Sequence, residues 1–283
     1  MSDKVVSRAV QTGLTPLPNV KNIIAIASGK GGVGKSTITA NLALALQHRG
    51  ARVGVLDADI YGPSVPLMLN IEGKPESLDG KSIQPLDNYG LQVMSIGFLI
   101  AADNPAIWRG PMVSKALQQM LYDTRWDNLD YLLIDLPPGT GDIQLTLAQK
   151  IPVAGGIIVT TPQDLALLDA KKALVMLQKV KIPVLGIIEN MSQHICSQCG
   201  HIETIFGEQG GEKIAQQYDV PLLGQLPLEQ RIRQDVDAGK PTVLAEPAGD
   251  IAKAYLNIAK QVEQNLTLQK CDYSAKFGQI NIE

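Results

Sequence analysis

The chain has 283 residues, 45% of them apolar and 19% charged, with a net charge of −3 at pH 7. That balance excludes a disordered chain, and the interspersed charges exclude a broad surface for tracking DNA or RNA phosphates. Residues 1–22 hold no secretory apolar core and the run 23–27 is far shorter than the roughly 20 residues that cross a bilayer, so one large globular domain in the cytosol is expected, with neither membrane nor nucleic acid as partner.

From the amino end, short apolar β-rich runs alternate with segments of helical period. Strands are expected at 22–27, 52–56, 91–96, 131–134, 156–160, 184–189 and 221–226. Helices are expected at 35–47, 113–122, 143–149, 165–179, 210–217 and 251–264. Sustained alternation of this kind is the pattern of an α/β fold, a doubly wound, mostly parallel sheet with helices on both faces. No repeat or linker divides it, so the expected organisation is a short arm at 1–20, one domain at 21–265 and a polar tail at 266–283.

The first strand runs into Gly29, Lys30, Gly31, Gly32, Val33, Gly34, Lys35, Ser36 and Thr37, after which helical spacing begins. Gly-x-x-x-x-Gly-Lys-Ser between a strand and a helix is a phosphate-binding loop. Its glycines let several N–H groups face one concavity, and the helix turns its positive end to the same point. Micromolar nucleotide binding needs about −8 kcal/mol, whereas a helix terminus supplies only about 0.3–2 kcal/mol. Charge-assisted hydrogen bonds of about 1.5–3 kcal/mol each must supply the rest. Lys35 suits the β- and γ-phosphates of ATP, Ser36 a Mg²⁺ ion and Thr37 the α-phosphate.

A second lysine within the loop, Lys30, has no place in its own cradle. Here the chain resembles the deviant Walker A ATPases, the group of the nitrogenase iron protein, arsenite pumps and the Min and Par positioning proteins. The resemblance implies that Lys30 reaches across a homodimer interface to the partner's nucleotide. It further implies that Asp59, beyond the 52–56 strand, orients or deprotonates the attacking water, with Asp57 supporting Mg²⁺ from behind. Asp135, after the 131–134 strand, would hold Mg²⁺ through water, and Leu136 to Asp142 resembles a switch that moves when the γ-phosphate leaves. Asn190, ending the 184–189 strand, and Pro227 match the positions that hold adenine in that group.

Beyond Asn190 lies Cys196-Ser197-Gln198-Cys199-Gly200, carrying two of the three cysteines. Three are too few for a secreted disulfide framework, and in a reducing compartment the pair reads as metal-binding or redox-active. Two thiolates close neither a tetrahedral metal site nor a four-iron cluster, but a twofold dimer supplies the other two. With Trp108-Arg109-Gly110-Pro111-Met112 and Asp237-Ala238-Gly239-Lys240-Pro241 added, the chain over about residues 20–245 resembles the Mrp/ApbC group of iron–sulfur cluster carrier ATPases. That implies a [4Fe-4S] cluster held by Cys196 and Cys199 of both copies, and apo iron–sulfur proteins and cluster-assembly scaffolds as partners. It implies also a slow ATP hydrolysis coupled to loading or transfer. The residues before the first strand hold neither the N-terminal cysteine cluster nor the extra domain of some relatives, so the carrier core alone is expected. Cys271 reads as incidental, and the roles of Trp108, Arg109, His194 and His201 stay open. Two other readings compete: a Min/Par-like positioning ATPase, which the weakly basic 251–264 segment argues against, and an adaptor bridged by zinc at the same four thiolates.

Overall fold

Strands bury both faces wherever the apolar residues run without alternation, as parallel strands covered by helices must. The computed structural model describes residues 5–60, 62–77, 79–99, 110–196 and 198–272. In chain order they form β1 (Val20–Ser28), α1 (Lys35–His48), β2 (Val53–Asp57), α2 (Val65–Met68), β3 (Leu86–Asn88), β4 (Leu91–Ser95), α3 (Gly110–Tyr122), β5 (Leu129–Asp135), α4 (Asp142–Lys150) and β6 (Gly155–Thr160). There follow α5 (Asp164–Lys179), β7 (Val184–Glu189), β8 (His194–Ile195), β9 (Ile202–Glu203), α6 (Gly210–Tyr218), β10 (Leu222–Gln225), α7 (Gln230–Asp237), α8 (Thr242–Ala245) and α9 (Asp250–Thr267).

Eight strands make one sheet in the order β10-β7-β6-β1-β5-β2-β4-β3, parallel except for β3. Chain direction reverses about β1, which lies between β5 and β6. Right-handed crossovers therefore put α1 on one face and α3, α4, α5 and α6 on the other. The chain then returns over the first face, where α9 packs on α1 and against β7 and β10. Helix α1 is buried almost all round, Ile38, Leu42, Ala43, Leu44, Ala45 and Leu46 among its covered residues, because the sheet lies beneath it and α9 beside it. The reversal at β1 opens a crevice at the carboxyl ends of the strands, where a doubly wound sheet holds its ligand.

The doubly wound architecture and all seven expected strands are present, with ends within two residues of the expected ones. Elements that were not expected are short or polar: the antiparallel edge strand β3, the single-turn helices α2 and α8, helix α7, and the hairpin β8–β9, whose residues read as loop. Cys271 is more engaged than expected. It bridges Arg8 in antiparallel fashion, and the Arg8 guanidinium donates to its sulfur at 3.0 Å. Trp108 and Arg109 lie outside the described residues.

Candidate functional site

The end of β1, the loop after it and the start of α1 line a cleft of about 190 Å³ formed by Lys30 to Thr37 with Ser28, Asp59, Ser64, Met68 and Pro138. Sites for whole small molecules run to roughly 300–1,000 Å³, so this cleft has the dimensions of the phosphate end of a nucleotide site. Its floor is the amino end of α1. No side chain caps that helix and its first turn carries no acid, so its amides and dipole have an open anion position. Two glycines are required here. A Cβ on Gly29 would lie 2.1 Å from the backbone carbonyl carbon of Asp169, so helix α5 can seat against the loop only without one. Gly34 has φ +82°, and a Cβ there would strike the Asn190 amide at 2.2 Å.

The Lys35 side chain is 5% exposed, its ammonium 2.8 Å from Asp135 Oδ2 and 3.6 Å from Asp59 Oδ2. The closer contact is one of charge, since its angle is off the hydrogen-bond direction. Asp135, at the end of β5, also accepts from Ser36 Oγ at 2.6 Å and Thr39 Oγ1 at 2.8 Å. In this state the lysine, the serine and the carboxylate hold one another. That ring of donors and acceptors fits the chemistry of Mg²⁺ beside a phosphate: Ser36 and Asp135 carry hard oxygen atoms of the kind such an ion takes, and the Lys35 ammonium stands at the same point.

Asp57, at the end of β2, faces its own loop. Its oxygens accept from Asp59 N at 3.1 Å, Val65 N at 3.3 Å and Ser95 Oγ at 3.0 Å. Burial, with the Asp135 carboxylate beside it, pushes its pKa up to about 7 against the pull of the Asp59 amide, Ser95 and Lys35. The segment after β5 is fastened to the sheet through Gly139 N on Ser28 O at 2.9 Å, and Gln144 Nε2 donates to Pro138 O at 2.6 Å. Lys30, at the edge of the cleft, donates to Gln163 Oε1 at 3.1 Å.

Asn190 leaves β7 beside the phosphate loop and donates through Nδ2 to Val33 O at 2.9 Å. One amide hydrogen and the carbonyl oxygen stay available to a base. Residues 189–194 run alongside 226–228 in the same parallel sense as β7 and β10: Leu226 N donates to Glu189 O, Ser192 N to Leu226 O and Leu228 N to Gln193 O at 2.8–2.9 Å. Pro227 lies between these donors, where its lack of an N–H costs nothing. His194 Nδ1 closes the series on Leu228 O at 3.0 Å. The chain then enters the hairpin β8–β9, where Cys196 N donates to His201 O and Gly200 N to Cys196 O, both at 2.9 Å. The backbone N–H groups of Cys199 and Gln198 and the Cys199 thiol point at the Cys196 sulfur and, with His194 nearby, hold its pKa below the ordinary thiol value. A sulfur addressed by two amides suits a thiolate ligand. Among the described residues no group of three or more His, Cys, Asp and Glu gathers as a metal site. His201 Nε2 lies 3.8 Å from Glu203.

Sequence reasoning missed four supporting residues. Thr39 follows Lys35 by one helical turn and was legible by spacing. Ser95 and Gln163 gave no signal, because only the order of strands brings them to Asp57 and Lys30, and Gln144 reaches Pro138 through the local path between β5 and α4.

A sequence model of ParA-type proteins described as NUBPL iron-transfer P-loop NTPase matches residues 19–263. An iron-sulfur cluster carrier protein of Haemophilus influenzae is 60% identical over 251 residues, which make up 88% of this chain and 68% of that one. Among solved structures, a nucleotide-binding protein of Archaeoglobus fulgidus in complex with ADP aligns at TM-score 0.72 and 37% identity, over 84% of this chain and 93% of its own. The Pyrococcus furiosus cell division ATPase MinD aligns at TM-score 0.66 and 25% identity, over 86% and 98%.

Proposed function

The chain belongs to the NUBPL iron-transfer family of P-loop NTPases, and we propose that it is a homodimeric, ATP-hydrolysing carrier that holds a [4Fe-4S] cluster between two copies and passes it to apo-proteins. The observation that carries this reading is the cysteine hairpin itself. A two-thiol turn with amides directed at one sulfur continues directly from the segment that begins at Asn190, beside the phosphate loop. The name of the Haemophilus relative and the ADP bound by the Archaeoglobus protein support cluster and nucleotide respectively. The much lower identity to the division ATPase weighs against a positioning role, and no helix among the described residues is long and apolar enough to cross a membrane.

In this mechanism Lys35 exchanges its carboxylate partner for the β- and γ-phosphates, and the α1 amides take the remaining phosphate oxygens. Ser36 and, through water, Asp135 would hold Mg²⁺, with Asp57 behind them, and the ion would supply positive charge against the phosphates. Asp59 orients the attacking water. Lys30 exchanges Gln163 for the nucleotide of the second copy, which makes ATP a ligand that tightens the dimer. Asn190 and the Pro227 segment hold the base, and the bonds from 226–228 to His194 carry any shift there to the cysteines. Apo iron–sulfur proteins and assembly scaffolds are the partners, in a soluble, cytoplasmic setting. The residues divide as a domain at 21–265 with an arm before it and a tail after it.

Anaerobic reconstitution with iron and sulfide tests the reading. About four irons and four sulfides per dimer are expected for the wild type, and none for the Cys196→Ser/Cys199→Ser double variant. A wild-type protein that takes up no cluster but one zinc per dimer would overturn the carrier function and leave a zinc-bridged ATPase.

A further inference from the structure

A second cavity, of about 300 Å³, lies at the amino ends of β1 and β5, where α1 and α9 end. The nucleotide cleft is at the carboxyl ends of the strands, and the 14 residues of α1, roughly 21 Å of helix, separate the two. The amino-terminal arm forms one wall. Arg8 N donates to Asn22 Oδ1 at 3.0 Å and Asn22 Nδ2 to Val6 O at 3.2 Å, and Ala9 N donates to Lys270 O at 2.8 Å. Val5, Val6, Ala51 and Leu266 give the cavity an apolar side. Its polar side holds donors that the fold does not use. Tyr131, the register partner of Asn22, is 4% exposed and lines the cavity, yet its hydroxyl has no hydrogen-bond partner among the described residues. Buried polar groups are as a rule hydrogen-bonded. Burial, with Glu263 and Asp130 adding to it against Arg8 and Arg49, holds the phenol above its ordinary pKa, so it stays a donor. Arg8 uses only Nη1, on Gln269 O at 3.2 Å and Cys271 Sγ at 3.0 Å, and makes no ion pair among the described residues. Arg49 is paired with Glu263 at 2.7 Å, which leaves Arg8 as the charge in the lining without a counterpart.

We propose that this cavity binds a small organic carboxylate with a short aliphatic tail. The carboxylate accepts from the Tyr131 hydroxyl and from the unused edge of the Arg8 guanidinium, and the tail lies against Val5, Val6 and Leu266. A wholly apolar occupant would leave the phenol and the guanidinium without partners, and an ammonium would meet Arg8 as a like charge. The volume is at the lower end of the range for small-molecule sites, which limits the tail to a few carbons. The site depends on neither the nucleotide nor the cluster.

Hexanoate is the probe, titrated into the full chain and followed by ligand-observed NMR with and without saturating ADP, beside hexanol and hexylamine. Hexanoate should bind, equally well with ADP present, and hexanol and hexylamine should not. Tyr131→Phe should weaken hexanoate about tenfold or more, the worth of one hydrogen bond to a charged group. The same variant should keep the ligand-free Tm of the wild type, because the hydroxyl bonds to nothing in the folded chain. Ala51→Leu, whose added carbons fill the cavity, should abolish binding. Hexanoate that does not bind, or that binds Tyr131→Phe as tightly as the wild type, overturns the proposal. Displacement by ADP would assign the anion to the phosphate loop, and equal binding of hexanol would make the cavity merely apolar; either result overturns it as well. A lower Tm for Tyr131→Phe would show that the hydroxyl serves the fold, with the same consequence.

Discussion

Replacing Asp135 by asparagine tests the resting arrangement of the phosphate site. Asp135 is wholly buried and faces Lys35 at 2.8 Å, Ser36 at 2.6 Å and Thr39 at 2.8 Å. Breaking a buried ion pair costs about 3–5 kcal/mol because the surviving charge is left without its partner. Three features reduce that here. The Lys35 contact is off the hydrogen-bond direction, Asp59 stays 3.6 Å from the ammonium, and Asp57 is relieved of a neighbouring negative charge. Asparagine still accepts one hydroxyl, so the net loss should be about 2–3 kcal/mol. At roughly 2–4 °C per kcal/mol for a chain of this size, the nucleotide-free Tm falls by about 4–12 °C. ADP without Mg²⁺ should then raise the variant's Tm by more than it raises the wild type's, since its Lys35 needs no release. Thermal unfolding with and without ADP reads both effects. A nucleotide-free Tm within about 1 °C of the wild type would refute the argument that Lys35 and Asp135 hold each other in the empty site.

Lys35→Ala is expected to lose nucleotide binding, whereas Lys30→Ala and Asp59→Ala bind ATP and hydrolyse it at least tenfold more slowly, as titration calorimetry and phosphate release would measure; normal hydrolysis by Lys30→Ala excludes its action across the dimer. Gly29→Ala puts a Cβ against the α5 backbone at Asp169. Overpacking of this kind costs about 1–3 kcal/mol, to be read as a lower urea midpoint together with weakened ATP binding. Cys196→Ser and Cys199→Ser should each keep nucleotide affinity and lose cluster absorbance; a loss of nucleotide binding would make the pair structural.

The parallel core was legible because strands covered on both faces leave uninterrupted apolar runs, as in β1 and β5. What was not legible had no such run. Strand β3 is three residues on an edge, α7 buries only Ile232 and Val236, and the hairpin at His194 to Glu203 is made by pairing rather than by propensity. At the site, Lys35, Ser36, Asp57, Asp59 and Asp135 could be named because they sit at strand ends or in the loop that joins β1 to α1. Their partners Ser95 and Gln163 lie 38 and 133 residues from Asp57 and Lys30, so no local pattern connects them. Asp57 could be named, but its use of both oxygens to hold the Asp59 and Val65 amides had no local signal.

The central position of β1 has a consequence for the chain as it is made. Its two neighbours, β5 and β6, begin only at Leu129 and Gly155, so during synthesis the strand is made well before either partner and gains its second edge only with β6. At roughly 5–20 residues per second, β1 waits on the order of 5–25 s for its second partner, with a continuous apolar strand exposed. Slowing translation after β1 should therefore lower the soluble yield more than slowing it after β6.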